Sequence, residues 1–104
     1  MQIQINTDNN IAGSARMATY FTETLEAELS RFSEQLTSVQ VHLSDENAEK
    51  KGGDDKRCLL EARLKGLKPV VVTHHAENID LAFSGAIDKL TKRLESTIGK
   101  LRNY

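Results

Sequence analysis

The chain of 104 residues has no tryptophan, three phenylalanines and two tyrosines, one proline and one cysteine. Each scarcity excludes something. A lone Cys58 cannot close an internal disulfide, which fits a reducing compartment. With Pro69 the only proline, there is no proline-rich linker or recognition stretch. No apolar run approaches the roughly 20 residues that cross a bilayer. Residues 1–6 alternate polar and apolar instead of forming the basic and apolar regions of a signal peptide. These features predict a single cytoplasmic domain over residues 1–104. The shortage of aromatics also argues against recognition of RNA by base stacking, since Phe21, Phe32 and Phe83 fall on core stripes and leave Tyr20 and Tyr104.

Net charge is nearly absent too, at −1, which taken alone argues against a phosphate-binding protein. The distribution is uneven. Residues 1–55 hold four basic and ten acidic side chains, a net of −6, whereas residues 56–104 hold ten basic and five acidic ones, a net of +5. A basic pole on a small domain is a candidate site for an anionic partner.

Hydrophobic periodicity orders the chain as β-α-β-β-β-α. Residues 2–6 place Ile3 and Ile5 on one face of a half-buried strand, and Asp8-Asn9-Asn10 with Gly13 marks a turn. Ser14 suits the N-cap of a helix in which Ala18, Phe21, Leu25, Leu29, Phe32 and Leu36 recur every three or four residues. That stripe predicts a helix of about six turns, with Glu23, Glu26 and Glu34 on its wet side. Residues 39–43 and 58–65 alternate as strands, with Cys58, Leu60, Ala62 and Leu64 sharing a face. Residues 44–57, containing Gly52-Gly53, read as a long, mobile hairpin connection. After a turn at Gly66-Leu67-Lys68-Pro69, the β-branched run at residues 70–75 is a fourth strand. A second helix starts at about Asn78, capped by Asn78 or Asp80, with Phe83, Ile87, Leu90, Leu94, Ile98 and Leu101 on one side and fraying expected beyond Gly99. The expected fold is α+β, a two-layer sandwich. Its four-stranded mixed sheet has a first strand parallel to the second, then an antiparallel meander, with both helices on one face. The other face carries Gln2, Gln4, Gln40, His42, Leu59, Glu61 and Arg63.

The strongest chemical pattern is on the second helix. With Leu90 facing the core, Arg93, Lys100 and Lys89 project at about −60°, −80° and −100°, and Lys92 at about −160°. Asp88 and Glu95 project on the opposite flank. Such a ridge suits a phosphate backbone; it equally describes a solvated amphipathic helix with snorkelling lysines. Arg31, Lys56, Arg57 and Arg63, with Lys65 and Lys68, are candidate extensions. His74 and His75, adjacent on a strand, point to opposite faces and do not chelate one ion. Cys58 sits on an apolar face, unsuited to a nucleophile. The acids Asp45, Glu46, Asp54 and Asp55 lack calcium-loop spacing, and Lys50, Lys51, Lys56 and Arg57 can neutralise them across the hairpin. No nucleotide-binding glycine loop or hydrolase elbow is present.

Several strings carry a resemblance. Ile3-Gln4-Ile5 followed by Asn9-Asn10-Ile11, the stretch at residues 29–36 with Phe32, Val39-Gln40-Val41-His42-Leu43, Ala76-Glu77 with Asp80, and Ile87-Asp88-Lys89-Leu90 with Leu94 resemble the ribosome hibernation-promoting factor and ribosome-associated inhibitor family. That family is also called sigma-54 modulation or ribosomal subunit interface proteins, and the resemblance covers essentially the whole chain. Val41-His42-Leu43-Ser44-Asp45-Glu46-Asn47 and Asp55-Lys56-Arg57-Cys58-Leu59-Leu60-Glu61-Ala62-Arg63 resemble a divergent single-domain branch of it. The resemblance implies a fold like that of double-stranded-RNA-binding domains and a cytoplasmic bacterial protein of stress or stationary phase. It implies no enzyme activity, cofactor, metal, small-molecule substrate or membrane partner. The implied partner is the 30S subunit or 70S ribosome, bound through ribosomal RNA so that the messenger and transfer RNA channel is occluded. Lys89, Lys92, Arg93 and Lys100 are the residues carried over best. The chain departs from the family at Glu23, Glu26 and Glu28, where members carry lysines, and at Leu81, where an aromatic often follows the aspartate. The alternative reading is a protein-binding regulator that uses the acidic helix or a sheet edge, without the ribosome.

Overall fold

The computed structural model describes residues 1–8, 14–46 and 55–102. The elements are β1 (Gln2–Thr7), α1 (Ala15–Glu28), a 3-10 turn (Ser30–Phe32), β2 (Leu36–Asp45), β3 (Lys56–Leu64), β4 (Val70–Ala76) and α2 (Ile79–Arg102). The sheet order is β1-β2-β3-β4. β1 runs parallel to β2 across the α1 crossover, while β2–β3 and β3–β4 are antiparallel, as a helical crossover followed by two hairpin connections predicts. The two-layer α+β sandwich expected from sequence is thus the observed architecture. The turn expected at residues 9–13, the centre of the 44–57 connection and Tyr104 lie outside the described residues.

Local chemistry sets the element ends. Ser14 has extended backbone and its Oγ accepts from the Met17 amide at 3.0 Å, satisfying one of the free donors of the α1 N-terminus. Asn78 does the same for α2, accepting from the Leu81 amide at 2.8 Å. Gly66, at φ +70°, supplies the left-handed conformation needed to turn from β3 towards β4. α2 continues through Gly99 to Arg102, three residues past the position at which fraying was expected.

Two boundaries differ from the sequence expectation. The first helix ends at Glu28; Leu29 leaves helical geometry at φ −103°, ψ 8°, and Leu36 opens β2. Leu29, Phe32 and Leu36 are nevertheless all buried. A 3-10 turn and a strand start deliver them to the same core that a continuous helix would have faced, so spacing alone did not reveal the break. The 44–57 connection is also shorter than expected, because Ser44↔Arg57 and Asp45↔Lys56 are ladder pairs and the Glu46 amide donates to the Asp55 carbonyl at 2.9 Å.

The core lies between the helices and one sheet face. Phe21, Leu25 and Leu29 from the α1 side, Val39, Val41, Cys58, Leu60 and Ala62 from the sheet, and Ala82, Ala86, Leu90 and Leu94 from α2 are fully buried. Phe21 stacks on Phe83 with ring centroids 4.0 Å apart, joining the two helices. Each buried Leu or Phe contributes about 1.5–3 kcal/mol through removal of apolar surface from water. The outer sheet face is half-buried or exposed at Gln2, Gln4, Gln40, His42, Leu59, Glu61 and Arg63, as its polar sequence requires. Among the described residues no helix is long and apolar enough to cross a membrane.

Candidate nucleic-acid interface

One flank of α2 runs along β4. There Lys89, Lys92 and Arg93, together with Val71, Val72 and Thr73, line a groove of about 450 Å³ that contains three cations and no acid. Its floor is apolar because β4 is a β-branched run, and its rim is cationic because residues three and four apart share a helix flank. Lys89 Nζ donates to the Thr73 carbonyl oxygen at 2.8 Å, fastening α2 to β4. Lys92 and Arg93 are exposed, and among the described residues neither has an ion-pair partner. Lys100 is exposed on the same flank, about 10 Å further along the axis at 1.5 Å per residue.

Arg31, Lys56, Arg57 and Arg63 are occupied elsewhere, and Lys65 and Lys68 are exposed but do not line the groove. Arg31 pairs with Glu95 on the opposite flank of α2, its guanidinium 4.7 Å from the centre of the Phe32 ring. Lys56 lies between Asp45 at 3.1 Å and Asp55 at 3.2 Å. The hydrogen bonds it donates to those carboxylates, Asp45 and then Asp55, keep its ammonium protonated above the usual lysine range. Arg57 contacts Glu46 at 3.5 Å, and His75 reaches the same carboxylate oxygen at 3.3 Å. Arg63 is exposed on the outer sheet face, 3.5 Å from Glu61. The structure therefore brings together Lys89, Lys92 and Arg93, with Lys100 beyond them, and leaves Arg31, Lys56, Arg57 and Arg63 outside the groove.

The other flank of α2 carries acids. Tyr20, Thr24 and Glu28 of α1 and Asp80, Ser84 and Asp88 of α2 border a cavity of about 130 Å³ between the helices. Glu23 and Glu26 are exposed elsewhere on α1, outside the lining of this cavity. The molecule thus carries opposite charge on the two flanks of one helix, a separation that the whole-chain sum conceals.

The reactive side chains have structural roles. Cys58 is fully buried, and burial pushes its thiol up to about 12. His74 lies against α2 at Gly85, whereas His75 contacts Glu46. Among the described residues no group of three or more His, Cys, Asp or Glu is placed to hold a metal ion. A polyanion is what the α2–β4 groove can bind. The contributions of Val71, Val72 and Thr73 to this groove had no local signal in the sequence, because they depend on α2 packing over β4.

Comparison with known proteins identifies the family and the fold. Residues 3–102 match the family described as sigma 54 modulation protein / S30EA ribosomal protein. The fold is similar to the Protein Y N-terminal domain of Thermus thermophilus, at 21% identity and a TM-score of 0.74, covering 93% of this chain and 99% of that one. It is also similar to a ribosomal subunit interface protein from Coxiella burnetii, at 13% identity and a TM-score of 0.72, covering 95% and 99% of the two chains. No curated protein matches the chain with significance.

Proposed function

The chain belongs to the sigma 54 modulation protein / S30EA ribosomal protein family, and from that premise we propose that it binds the small ribosomal subunit in the cytoplasm and silences translation under stress. It contacts ribosomal RNA phosphates through Lys92, Arg93 and Lys100, with Lys89 beside them, and occludes the channel for messenger and transfer RNA. It acts by binding and not by catalysis. The observation that carries this reading is the row of exposed cations on a helix flank fastened to the sheet. Rigid placement gives phosphate contacts a defined register, and each contact releases counterions.

The test is co-sedimentation with 30S and 70S particles at two salt concentrations, for wild type and for Lys92→Glu with Arg93→Glu. Association that weakens with salt and is lost in the double variant supports the mechanism. Association indifferent to both would remove phosphate contact from the reading, even with the ribosome as partner.

A second reading rests on the acidic flank. Glu23, Glu26 and Glu28 of α1 are exposed, and among the described residues none has an ion-pair partner. In this reading a basic protein is engaged there without the ribosome. RNase treatment before co-purification separates the two, since a contact with ribosomal RNA is lost and a protein contact persists.

A further inference from the structure

β4 is an edge strand with little protection in its own sequence. Val70-Val71-Val72-Thr73 is a β-branched run, and no Asp, Glu, Lys or Arg falls between Val70 and Ala76. Val71 is 46% exposed, and β4 is hydrogen-bonded to a neighbouring strand on one side only. A free edge of this composition is a template for addition of another strand. At the opposite edge, β1 interrupts its apolar positions with Gln2 and Gln4.

The protection comes from another element, 16 residues further along the chain. Lys89 places its ammonium on the Thr73 carbonyl at 2.8 Å, in the middle of β4. A strand arriving at this edge would have to displace the ammonium or bury it away from water, and an unpaired buried charge is costly. The same contact commits Lys89 to the sheet. Lys92, on the same groove, has no such commitment among the described residues.

We infer that Lys89 is a positioning and edge-guarding residue: its bridge to Thr73 closes the β4 edge to strand addition and fixes the flank from which Lys92 and Arg93 reach phosphate. The second half of this assignment rests on the RNA-binding reading above; the first half stands without it.

Two measurements on four proteins test it: wild type, Lys89→Met, Lys89→Arg and Lys92→Met. Sedimentation velocity over a range of protein concentrations reads strand addition between copies. Lys89→Met gains a concentration-dependent rise in sedimentation coefficient. Lys89→Arg, whose guanidinium can also donate to the Thr73 carbonyl, sediments as wild type, and so does Lys92→Met, which controls for an added methionine. Affinity for a fluorescein-labelled RNA hairpin, measured against salt, reads phosphate contact. Lys92→Met lowers the magnitude of the log-affinity versus log-salt slope by about one, and Lys89→Met lowers it by less than half as much. Lys89→Gln replaces Lys89→Met if the latter loses its far-ultraviolet circular dichroism. The assignment is overturned if the Lys89 variant sediments as wild type, or if it lowers the slope as much as Lys92→Met. A wild type with no salt-dependent RNA affinity would sink the proposed function, while sedimentation would still decide the role of Lys89 at the edge.

Discussion

Gly85 of α2 passes directly over the ring of His74 on β4, and a Cβ at Gly85 would lie 2.2 Å from His74 Cδ2 and 2.6 Å from Cγ. The missing side chain lets α2 approach the sheet at the turn preceding Lys89. Alanine there gains up to about 1 kcal/mol of helix propensity, but forcing the ring or helix aside costs about 1–3 kcal/mol. Gly85→Ala is therefore expected to lose roughly 1 kcal/mol overall in urea unfolding. Combining it with His74→Ala, which empties the space, should recover part of that loss. Strict additivity of the two changes would show that the contact does not set the helix position.

The cations that line up in sequence should not be equivalent in function. Lys92→Glu with Arg93→Glu is expected to weaken RNA affinity about tenfold or more at low salt, the gap closing as salt rises. Arg31→Ala, which removes a partner of Glu95 on the other flank, should leave the salt slope unchanged. Fluorescence anisotropy with one RNA hairpin at several salt concentrations checks both.

Cys58 should be inert while the protein is folded. With its thiol pushed up to about 12 by burial, its thiolate fraction at pH 8 falls about three orders of magnitude below that of a free thiol near 8.5. Alkylation by iodoacetamide should slow accordingly and speed up in urea. The raised value also bears on stability. Between about 8.5 and 12 the folded state holds a proton that the unfolded chain releases, so unfolding becomes easier as pH rises through that window. The loss is at most about 1.4 kcal/mol per pH unit. Lys56, also raised, adds its own loss only above the usual lysine range. Chemical unfolding of wild type and Cys58→Ala between pH 8 and pH 10 separates the two, because only wild type should lose the Cys58 contribution.

Lys56 should matter for stability and not for RNA. It sits between Asp45 and Asp55, whose side chains are nearly buried where β2 and β3 separate. Lys56→Met removes the cation that bridges these two nearly buried carboxylates, which lowers the urea midpoint. Adding Asp55→Asn should restore part of it. RNA affinity in Lys56→Met, measured where the protein is folded, is expected to match wild type.

Much of the fold was legible because burial is periodic. Alternation at Ile3-Gln4-Ile5 and from Cys58 to Leu64 marked strands with one buried face, and the Phe83-to-Ile98 stripe marked the second helix. Ser14 and Asn78 marked the helix starts. The six-turn expectation for the first helix failed at Leu36, since spacings of three and four persist when a 3-10 turn and a strand carry the same residues to the same core. The candidate site was legible only as a row of cations. Its floor at Val71, Val72 and Thr73 depends on a helix crossing a strand.

The sequence by itself determined the order of elements, the core face of each and the opposite charge of the two halves, because these follow from local patterns of side-chain type. Tertiary structure decided which cations remain available. Arg31 was claimed by Glu95, Lys56 by Asp45 and Asp55, and Lys89 by the Thr73 carbonyl. Lys92, Arg93 and Lys100 were left facing water. Except for the adjacent Asp55, those partners lie far from the cations along the chain. Electrostatic pairing acts over a few ångströms of space, a distance that only the folded chain defines.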